Sequence, residues 1–297
     1  MNILVTGANG FVGKELVSEL KNRKHNVFEF DLANGKNILN RAQITDSLKK
    51  IDVVIHLAAI IENNNQKLWE VNVTGTKNLI EESVNARIKK FVFLSSTGVY
   101  GKQKGSISED SEVIPENNYE KSKVEAENIV LQHQEEISVN IVRSAMILGA
   151  NDYWKKMFKI LKKGFPLPCS GKNSFQIIYV RELINAIITV MEKGEPGEIY
   201  LVAGKEQWTL REFCKKTKGI MELKERMFSI PEVIAIIIGK LIGNDLISSD
   251  NIRHLKKNRK YIIEKIGKIG FKHKYTIEEA ITETLEELKE IDSDTKN

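Results

Sequence analysis

A tyrosine and a lysine four residues apart form the first pattern in this sequence that could move a proton. Tyr119 and Lys123 lie in the stretch PENNYEKSKVEAE, where helical spacing places both side chains on one face of a helix. A free tyrosine has a pKa near 10, and bringing it close to neutrality requires roughly 4 kcal/mol in favour of the phenolate. One ammonium group about 4 Å away supplies on the order of 4 kcal/mol at an effective dielectric constant of about 20. The pair therefore predicts a tyrosine that exchanges a proton near neutral pH.

The same Tyr-x-x-x-Lys spacing occurs in two other places, which begin at Tyr100 and Tyr261. Tyr100 is followed by glycine in a predicted loop, and Tyr261 lies in a basic region with no hydroxyl-bearing strand end before it. Tyr119 follows the segment FVFLSSTGVYG (91–101), a predicted strand that ends on hydroxyl side chains. Position therefore favours Tyr119 and Lys123 as the reactive pair.

Three glycines at intervals of three residues form a second pattern, in the stretch TGANGFVG. Gly7, Gly10 and Gly13 follow a predicted strand and open a predicted helix. Glycine allows the backbone to turn tightly against a pyrophosphate, and the N–H groups at the start of the helix attract the anion. Asp31, at the end of the second strand, stands where a carboxylate would bind an adenosine ribose and repel a 2′-phosphate. The sequence therefore predicts NAD rather than NADP as the cofactor.

Alternating strand and helix patterns surround these residues up to about residue 145. Several of the strands are continuous apolar runs, as in a parallel sheet that is covered on both faces. The predicted strands are Met1–Thr6, Asn26–Asp31, Asp52–Ala58, Phe91–Ser95 and Val139–Val142, and the predicted helices are Val12–Asn22, Arg41–Lys50, Leu68–Ala86 and Tyr119–Glu136. This order predicts an α/β fold with a Rossmann-type doubly wound parallel sheet.

The pattern changes after residue 145. A lysine-rich helix and a loop with glycines and prolines come first, followed by a helix that ends near Lys193 and a short strand over Glu198–Val202. From Thr209 onward the chain is predicted to be mainly helical. We predict an NAD-binding Rossmann domain over residues 1–145, to which residues 175–203 return. A smaller, mainly helical substrate-binding domain would comprise residues 146–174 and 204–297.

Several ordered segments closely resemble the extended short-chain dehydrogenase/reductase family, the group that contains the nucleotide-sugar epimerases and dehydratases. These segments are TGANGFVG, DVVIHLAA, VNVTGTKNL, LSSTGVYG, YEKSK and VRSAMILG, and weaker similarity continues through IIYVRELINAI and GEIYLVAGKEQWTLREF. The resemblance implies an NAD-dependent enzyme with a Rossmann-type fold. It also implies a homodimer that is formed through the helices Leu68–Ala86 and Tyr119–Glu136.

The resemblance further implies a catalytic trio. Tyr119 would be the general acid/base, Lys123 its electrostatic activator and a ligand of the nicotinamide ribose, and Ser96 the hydroxyl that holds the substrate oxygen. Asn37 and Ile38 occupy the place where many relatives have an acid and an apolar residue in contact with adenine. The residues implied in cofactor binding are Gly7, Asn9, Gly10, Phe11, Val12, Gly13, Asp31, Asn37, Ile38, Leu57, Ala58, Ala59, Asn72, Ser95, Tyr119 and Lys123.

The residues after the catalytic serine depart from the dehydratases and decarboxylases of the family. Those enzymes resemble one another in a Thr-x-Glu type sequence, whose carboxylate serves the extra elimination or proton-transfer step, whereas this chain reads Ser96-Thr97-Gly98. We therefore expect an NAD-dependent nucleotide-sugar epimerase that works by transient hydride transfer through a keto-sugar intermediate. An NAD(P)-dependent sugar dehydrogenase or 4-ketoreductase, or a reductase of a bulkier apolar alcohol, is the alternative on the same site. A non-catalytic NAD-sensing protein is the alternative of another class.

Two further departures concern the substrate. Many relatives carry proline where this chain has Ser144, and Met146 stands where some sugar epimerases have an asparagine that contacts the diphosphate. The candidate diphosphate ligands in the substrate half are Lys155, Lys156, Lys172, Arg181 and the basic residues between Arg253 and Lys274. The sequence leaves the sugar, the nucleotide and the reacting carbon open.

The composition, 41% hydrophobic and 29% charged with a net charge of +5, is that of a globular protein. We expect a cytoplasmic protein without a signal peptide or a membrane span, because the apolar run Ile230–Ile242 is too short for a bilayer and is predicted to form a buried helix. Cys169 and Cys214 are too few for a disulfide framework or a metal site, so no metal is expected. No aromatic-rich stacking surface accompanies the basic residues, so no nucleic-acid partner is expected.

Overall fold

The computed structural model describes residues 1–164, 166–168, 170–225, 227–231, 233–236 and 258–294. Its strands are β1 Asn2–Thr6, β2 Asn26–Phe30, β3 Val53–His56, β4 Lys90–Ser96, β5 Gly105–Ile107, β6 Ser138–Ser144, β7 Met146–Leu148, β8 Leu167–Pro168, β9 Ser174–Phe175, β10 Ile177–Tyr179, β11 Ile199–Val202, β12 Trp208–Thr209, β13 Ser229–Ile230 and β14 Arg259–Tyr261. Its α-helices are α1 Phe11–Asn22, α2 Arg41–Ser47, α3 Thr76–Asn85, α4 Asn118–Gln132, α5 Asp152–Lys162, α6 Val180–Lys193, α7 Leu210–Ile220, α8 Glu264–Lys268 and α9 Ile277–Asp294.

The central feature is a six-stranded parallel sheet in the order β2-β1-β3-β4-β6-β11. From β1 the chain moves outward to β2 and then returns to the other side of β1 to form β3. The strand order therefore reverses between β1 and β3. In sheets of this kind, ligands bind in the crevice outside the carboxyl ends of the strands at the reversal. This topology confirms the doubly wound α/β fold that the sequence predicts.

Apolar side chains cover both faces of the sheet because successive strand residues point to opposite sides. In β1, Ile3 belongs to the cluster that includes Leu16 of α1 and Leu183 of α6. Its neighbour Leu4 belongs to the opposite cluster, which includes Leu79 of α3. Each fully buried side chain of this size contributes about 1.5–3 kcal/mol relative to exposure. The two layers hold the sheet rigid beneath the crevice.

A third apolar cluster lies in the C-terminal half of the described chain. It contains Trp154 and Phe158 of α5, Phe213 of α7 and Ile281 of α9. The indole Nε1 of Trp154 donates a hydrogen bond to the carbonyl oxygen of Ile147 at 2.7 Å. This bond fastens α5 to β7, which directly follows β6 of the central sheet.

Two regions differ from the sequence prediction. The predicted helix Leu68–Ala86 consists of a π-helical segment, Glu70–Gly75, followed by α3. The region after Thr209 is less helical than predicted, because it contains β13 and β14, and β14 pairs with β5. The greater part of the run Ile230–Ile242 lies outside the described residues, and so does Cys169.

Candidate active site

The glycine-rich turn packs tightly between the ends of β1 and β3. Gly7 has a φ of 68°, and a Cβ on it would lie 2.7 Å from the backbone nitrogen of Ala58. A Cβ on Gly13 would lie 2.1 Å from the backbone oxygen of Gly7, so α1 can pack this close to the turn only with glycine there. The helix begins at Phe11, directly after Gly10, which provides no side-chain cap. The first N–H groups of α1 are therefore suited to an anion such as a pyrophosphate.

Asp31 follows β2 and connects the turn to the loop beyond that strand. Its Oδ2 accepts a hydrogen bond from the backbone N–H of Asn9 at 3.0 Å, and its Oδ1 accepts one from Ala33 at 2.9 Å. Each carboxylate oxygen can accept a further bond, for example from a ribose hydroxyl. The side chains of Phe11 and Val12 pack against apolar clusters of the protein. Any contact of these two residues with a cofactor would therefore come from their backbone N–H groups.

Asn72 fastens the segment that follows β3. Its Oδ1 accepts from the backbone N–H of Ile60 at 2.8 Å, and its Nδ2 donates to the Ile60 carbonyl at 2.8 Å and to Ser122 Oγ at 3.0 Å. The side chain is 2% exposed and lies in the π-helical segment, a geometry that is frequent at functional sites. Through these bonds Asn72 holds Leu57, Ala58 and Ala59, which are partly exposed, next to the glycine-rich turn.

Asn37 and Ile38 lie in the loop after β2 with different surroundings. Asn37 is exposed, and its Oδ1 accepts a hydrogen bond from the N–H of Leu39 at 2.9 Å. Ile38 is buried, and its Cγ2 would lie 2.6 Å from a Cβ on Gly75. The side chain of Ile38 therefore packs into the core, and the exposed Asn37 is the better placed of the two for adenine.

The structure brings the three predicted catalytic residues together at the end of β4. Ser96 is the last residue of the strand, and its Oγ accepts a hydrogen bond from the N–H of Gly98 at 3.0 Å. Tyr119 lies in the first turn of α4, and the side chain of Ser96 is close enough to its hydroxyl to lower the pKa of Tyr119. Lys123 follows one turn later, is 3% exposed and donates from Nζ to the carbonyl oxygen of Leu94 at 2.7 Å. This arrangement can hold an alcohol oxygen between two hydroxyl groups and transfer its proton.

Comparison with known proteins decides the family. The sequence matches the NAD dependent epimerase/dehydratase family over residues 3–203. The chain belongs to this family. Membership confirms the family resemblance and the Rossmann-type fold that the motifs indicated.

The names of individual relatives describe different reactions. A dTDP-D-glucose 4,6-dehydratase of Dictyostelium discoideum is 29% identical over 73% of this chain and 62% of its own length. A UDP-glucose 4-epimerase of Vibrio cholerae is 25% identical over 95% of this chain and 94% of its own. The crystal structure of UDP-glucuronic acid 4-epimerase from Bacillus cereus in complex with NAD has a TM-score of 0.79 and 23% identity, and the match covers 98% of this chain and 99% of that one. The chain spans 62% of the length of two of the curated relatives it matches.

Burial determines the charge states of the catalytic candidates of this family member. Burial raises the pKa of Tyr119 to about 12, while the hydrogen bond with Ser96 lowers it and the negative charge of Glu120 raises it. Burial lowers the pKa of Lys123 to about 7, although the negative charge of Glu127 acts to raise it. The pKa of Tyr119 thus lies above its ordinary value, and the activation of Tyr119 by Lys123 stays a prediction. A lysine that keeps its proton only below about pH 7 supplies less than a full ammonium charge, and desolvation of the phenolate outweighs it.

A buried histidine that sequence reasoning missed lies behind this epimerase/dehydratase family site. His56, the last residue of β3, is bonded through Nδ1 to Thr6 Oγ1 at 2.7 Å and through Nε2 to Thr76 Oγ1 at 2.8 Å. Burial lowers its pKa to about 3, and the charge of Lys123 lowers it further. His56 is thus a neutral connector between β1, β3 and α3. Its place in the motif DVVIHLAA is the only signal for it in the sequence.

The adjacent hydroxyls Ser95 and Ser96 point to opposite faces of β4, as expected from strand geometry. Ser95 is 4% exposed, and its Oγ donates to Glu127 Oε1 at 2.5 Å. Glu127 also forms a buried ion pair with Arg143 at 2.7 Å. Arg143 in turn donates to the hydroxyl of Tyr100 at 3.0 Å. The Ser95 side chain thus belongs to a structural network, and its predicted cofactor contact, if made, would use the backbone.

Two of the predicted diphosphate ligands are engaged by the protein itself. Arg181 donates to two glutamates of α9 at 2.8 and 2.6 Å. Arg259 is 8% exposed and donates to the carbonyl oxygens of Gln103, at 3.1 Å, and Gly101. Both arginines therefore hold protein groups in place, and Lys265 likewise pairs with Glu198. The predicted role of these cations and of Lys155, Lys156 and Lys172 as diphosphate ligands stays a prediction.

The described part of the chain has no membrane-spanning helix and no metal-ligand cluster, and its free cysteine is buried. No helix in that part is both long and apolar enough to cross a bilayer. Among the same residues, no group of three His, Cys, Asp or Glu side chains could hold a metal ion. Cys214 is a free thiol with 1% exposure, and burial raises its pKa to about 12. Cys214 is therefore an inert core residue.

Proposed function

We propose that the protein is an NAD-dependent nucleotide-sugar epimerase. The observation that carries the proposal is that the Ser96 and Tyr119 hydroxyls lie near each other, with a glycine at position 98. A sugar hydroxyl against this pair can give its proton to Tyr119 while Ser96 holds its oxygen. Gly98 offers no carboxyl group, and the neighbouring carboxylate of Glu120 is 1% exposed. These features support reversible oxidation of one carbinol carbon rather than elimination.

The residues of the crevice fit NAD, as the glycine-rich turn, the uncapped start of α1 and the carboxylate of Asp31 indicate. The turn and α1 would hold the pyrophosphate, Asp31 the adenosine ribose and Lys123 the nicotinamide ribose. Bound NAD supplies the acceptor and donor for the hydride of the substrate carbon. Tyr119 takes up the hydroxyl proton during oxidation and returns it during reduction. Rotation of the keto sugar between the two steps inverts the configuration at the carbon. Because the hydride returns to the sugar, no cofactor is consumed.

The experiment uses the protein as purified. Its NAD content is measured first, in the supernatant left after a sample of the protein has been denatured. UDP-sugars and dTDP-sugars are added without external cofactor, and the products are followed by NMR. We expect interconversion of two epimers and a loss of at least 100-fold in kcat for Tyr119→Phe, the size typical of a lost general acid/base. Turnover that requires added NAD(H) and consumes it would identify a dehydrogenase or ketoreductase. A 4-keto-6-deoxy product would identify a dehydratase, and both results would overturn the proposal.

A single-step oxidoreductase is the second candidate, and one observation favours it. Met146, in the position where some sugar epimerases have asparagine, is 39% exposed at the start of β7. An exposed thioether suits an apolar group better than a diphosphate. The Met146→Asn variant separates the epimerase from the oxidoreductase. A lower KM for nucleotide sugars supports the epimerase, whereas a loss of affinity for apolar alcohols supports the oxidoreductase.

We also propose a cytoplasmic homodimer in which α3 and α4 of each protomer pack together. Exposed Trp69, just before the π-helical segment that leads into α3, supports an interface at this end of the helix. We propose that the chain has the two domains, with the boundaries, that the sequence predicts. The pairing of β11 with β6 supports the return of residues 175–203 to the first domain. Light scattering of the purified protein and of the Trp69→Lys variant tests the dimer. If the unsubstituted protein is a monomer, the proposed dimer is contradicted.

A further inference from the structure

Helix α5 has an apolar side that is buried and a basic side that is open to solvent. Its buried side chains, Trp154, Phe158 and Leu161, belong to the third apolar cluster. Asp152, in the first turn, is the single acidic residue of the helix. The exposed lysines of α5 and its C-terminal end are Lys156, Lys159, Lys162 and Lys163. The helix therefore presents a strongly positive surface on the substrate half of the chain.

A second segment of the chain packs against α5 between two of these lysines. Ile160 of α5 and Ile230 of β13 both pack against the buried Ala235. Ile160 lies four residues after Lys156 and three residues before Lys163. Side chains at these spacings are neighbours on the surface of a helix. The two lysines therefore border the place where the segment around Ile230 and Ala235 meets the helix.

Large apolar side chains of this second segment are exposed. Phe228, Val233 and Ile234 are 71%, 67% and 46% exposed. The carbonyl oxygen of Phe228 accepts a hydrogen bond from the N–H of Leu167 at 2.8 Å, which places Phe228 beside the strand that follows α5. Val233 and Ile234 belong to the helical turn over residues 233–236. Single exposed apolar residues are ordinary, whereas a group of them beside a basic helix indicates an interaction surface.

The combination of cations and apolar side chains selects the kind of partner. A second copy of the chain would bring two sets of lysines together, and like charges oppose such a contact. A nucleic acid would bind the lysines through its phosphates, but this binding makes no use of Val233 and Ile234. An anionic membrane uses both groups, because its headgroups attract the lysines and its acyl boundary accepts the apolar side chains.

We propose that the exposed lysines of α5, together with Phe228, Val233 and Ile234, bind the protein to the surface of anionic membranes. The contact is peripheral, and it needs no helix that crosses the bilayer. Each lysine close to an anionic surface strengthens binding about fivefold at low salt. Salt screens this part of the binding, whereas insertion of the apolar side chains persists. The surface shares no residue with the Ser96–Tyr119 pair, so the inference does not depend on the reaction that the site catalyses.

The test is co-sedimentation of the purified protein with vesicles of phosphatidylcholine that either contain or lack phosphatidylglycerol. We expect binding to the vesicles that contain phosphatidylglycerol and none to the neutral vesicles. The double variant Lys159→Glu, Lys163→Glu is expected to weaken this binding by at least about tenfold, and high salt should weaken it in the wild type. Phe228→Ser keeps every lysine and is expected to weaken binding about tenfold. If Phe228→Ser does not fold, Val233→Ser takes its place.

Matched substitutions elsewhere separate this surface from net charge and general stickiness. The double variant Lys21→Glu, Lys49→Glu makes the same change of charge on two exposed lysines of other elements. Leu32→Ser removes an apolar side chain that is 74% exposed. Both controls are expected to bind vesicles as the wild type does, and circular dichroism checks that each variant is folded.

Four outcomes would overturn the proposal. The first is no vesicle binding, and the second is equal binding to neutral and anionic vesicles. The third is an equal loss of binding in the control variants, because net charge alone would then explain it. The fourth is binding of RNA, or a change of oligomeric state in Phe228→Ser, by a protein that ignores vesicles, because the surface would then serve a nucleic acid or a second copy.

Discussion

Replacing Lys123 by methionine is expected to inactivate the protein and, at pH 6, to make it more stable. Lys123 is 3% exposed, and burial lowers its pKa from 10.5 to about 7. At about 1.36 kcal/mol per unit, the charged lysine destabilises the folded state by roughly 5 kcal/mol below pH 7. Methionine fills a similar volume without charge. The substitution also leaves the carbonyl of Leu94 without this donor, which costs about 1–3 kcal/mol. The net gain at pH 6 is therefore about 2–4 kcal/mol.

The pH dependence is the sharper part of this prediction. The folded pKa of Lys123 lies below the unfolded value, so the unfolded chain binds the extra proton between about pH 7 and 10.5. The free energy of unfolding of the wild type therefore rises with pH across this window, whereas Lys123→Met lacks this contribution. Between pH 6 and 9 the wild type should gain about 2.5 kcal/mol relative to the variant.

Urea unfolding of NAD-depleted protein, followed by circular dichroism at several pH values, measures this difference. Lys121→Met, which replaces an exposed lysine of the same helix, serves as the control and should show a constant difference from the wild type. A stability difference between wild type and Lys123→Met that does not change from pH 6 to 9 would refute the reasoning. It would mean that Lys123 keeps an ordinary affinity for its proton despite its burial.

Four other substitutions give further expected outcomes. Gly13→Ala places a Cβ against backbone and should cost about 1–3 kcal/mol and abolish the NAD-induced thermal shift, whereas Gly219→Ala, where a Cβ meets nothing within 4 Å, should stabilise by up to about 1 kcal/mol. Asp31→Asn should weaken NAD binding about tenfold and reduce the preference of the protein for NAD over NADP. Calorimetry can measure both affinities. Glu127→Gln should cost about 3–5 kcal/mol in urea unfolding because Arg143 stays buried without its ionic partner.

The features that the sequence predicted well are those that local spacing determines. The turn at Gly7 and Gly13 follows from the absence of Cβ atoms over a few neighbouring residues. Tyr119 and Lys123 share a helix face because of the helical period, and β4 could be read from a continuous apolar run. The doubly wound topology followed from the order of the elements, since parallel strands need crossover helices.

The features that the sequence could not provide depend on contacts between distant segments. The spacing of Tyr119 and Lys123 indicates proximity, but only the fold reveals the burial that lowers the lysine pKa to about 7. Strand alternation requires Ser95 and Ser96 to face opposite sides, yet the sequence does not say which side is the site. Arg181 looked like an available cation because its partners on α9 lie about a hundred residues later in the chain. These cases share one cause, which is that charge and access are set by tertiary packing.

The bonds from Arg259 to the carbonyls of Gly101 and Gln103 connect β14 to the loop that follows β4. This loop continues from Ser96, the proposed catalytic serine at the end of β4. The family match ends at residue 203, whereas the brace for this turn arrives 56 residues later, on β14. A fragment cut at the end of the match would keep every proposed catalytic side chain and lose the strap that sets the shape of the serine turn. The cut would also remove Ile266 and Phe271, which are buried in the same apolar cluster as Val5 and Ala8, so it would disturb the cofactor crevice as well as the serine turn.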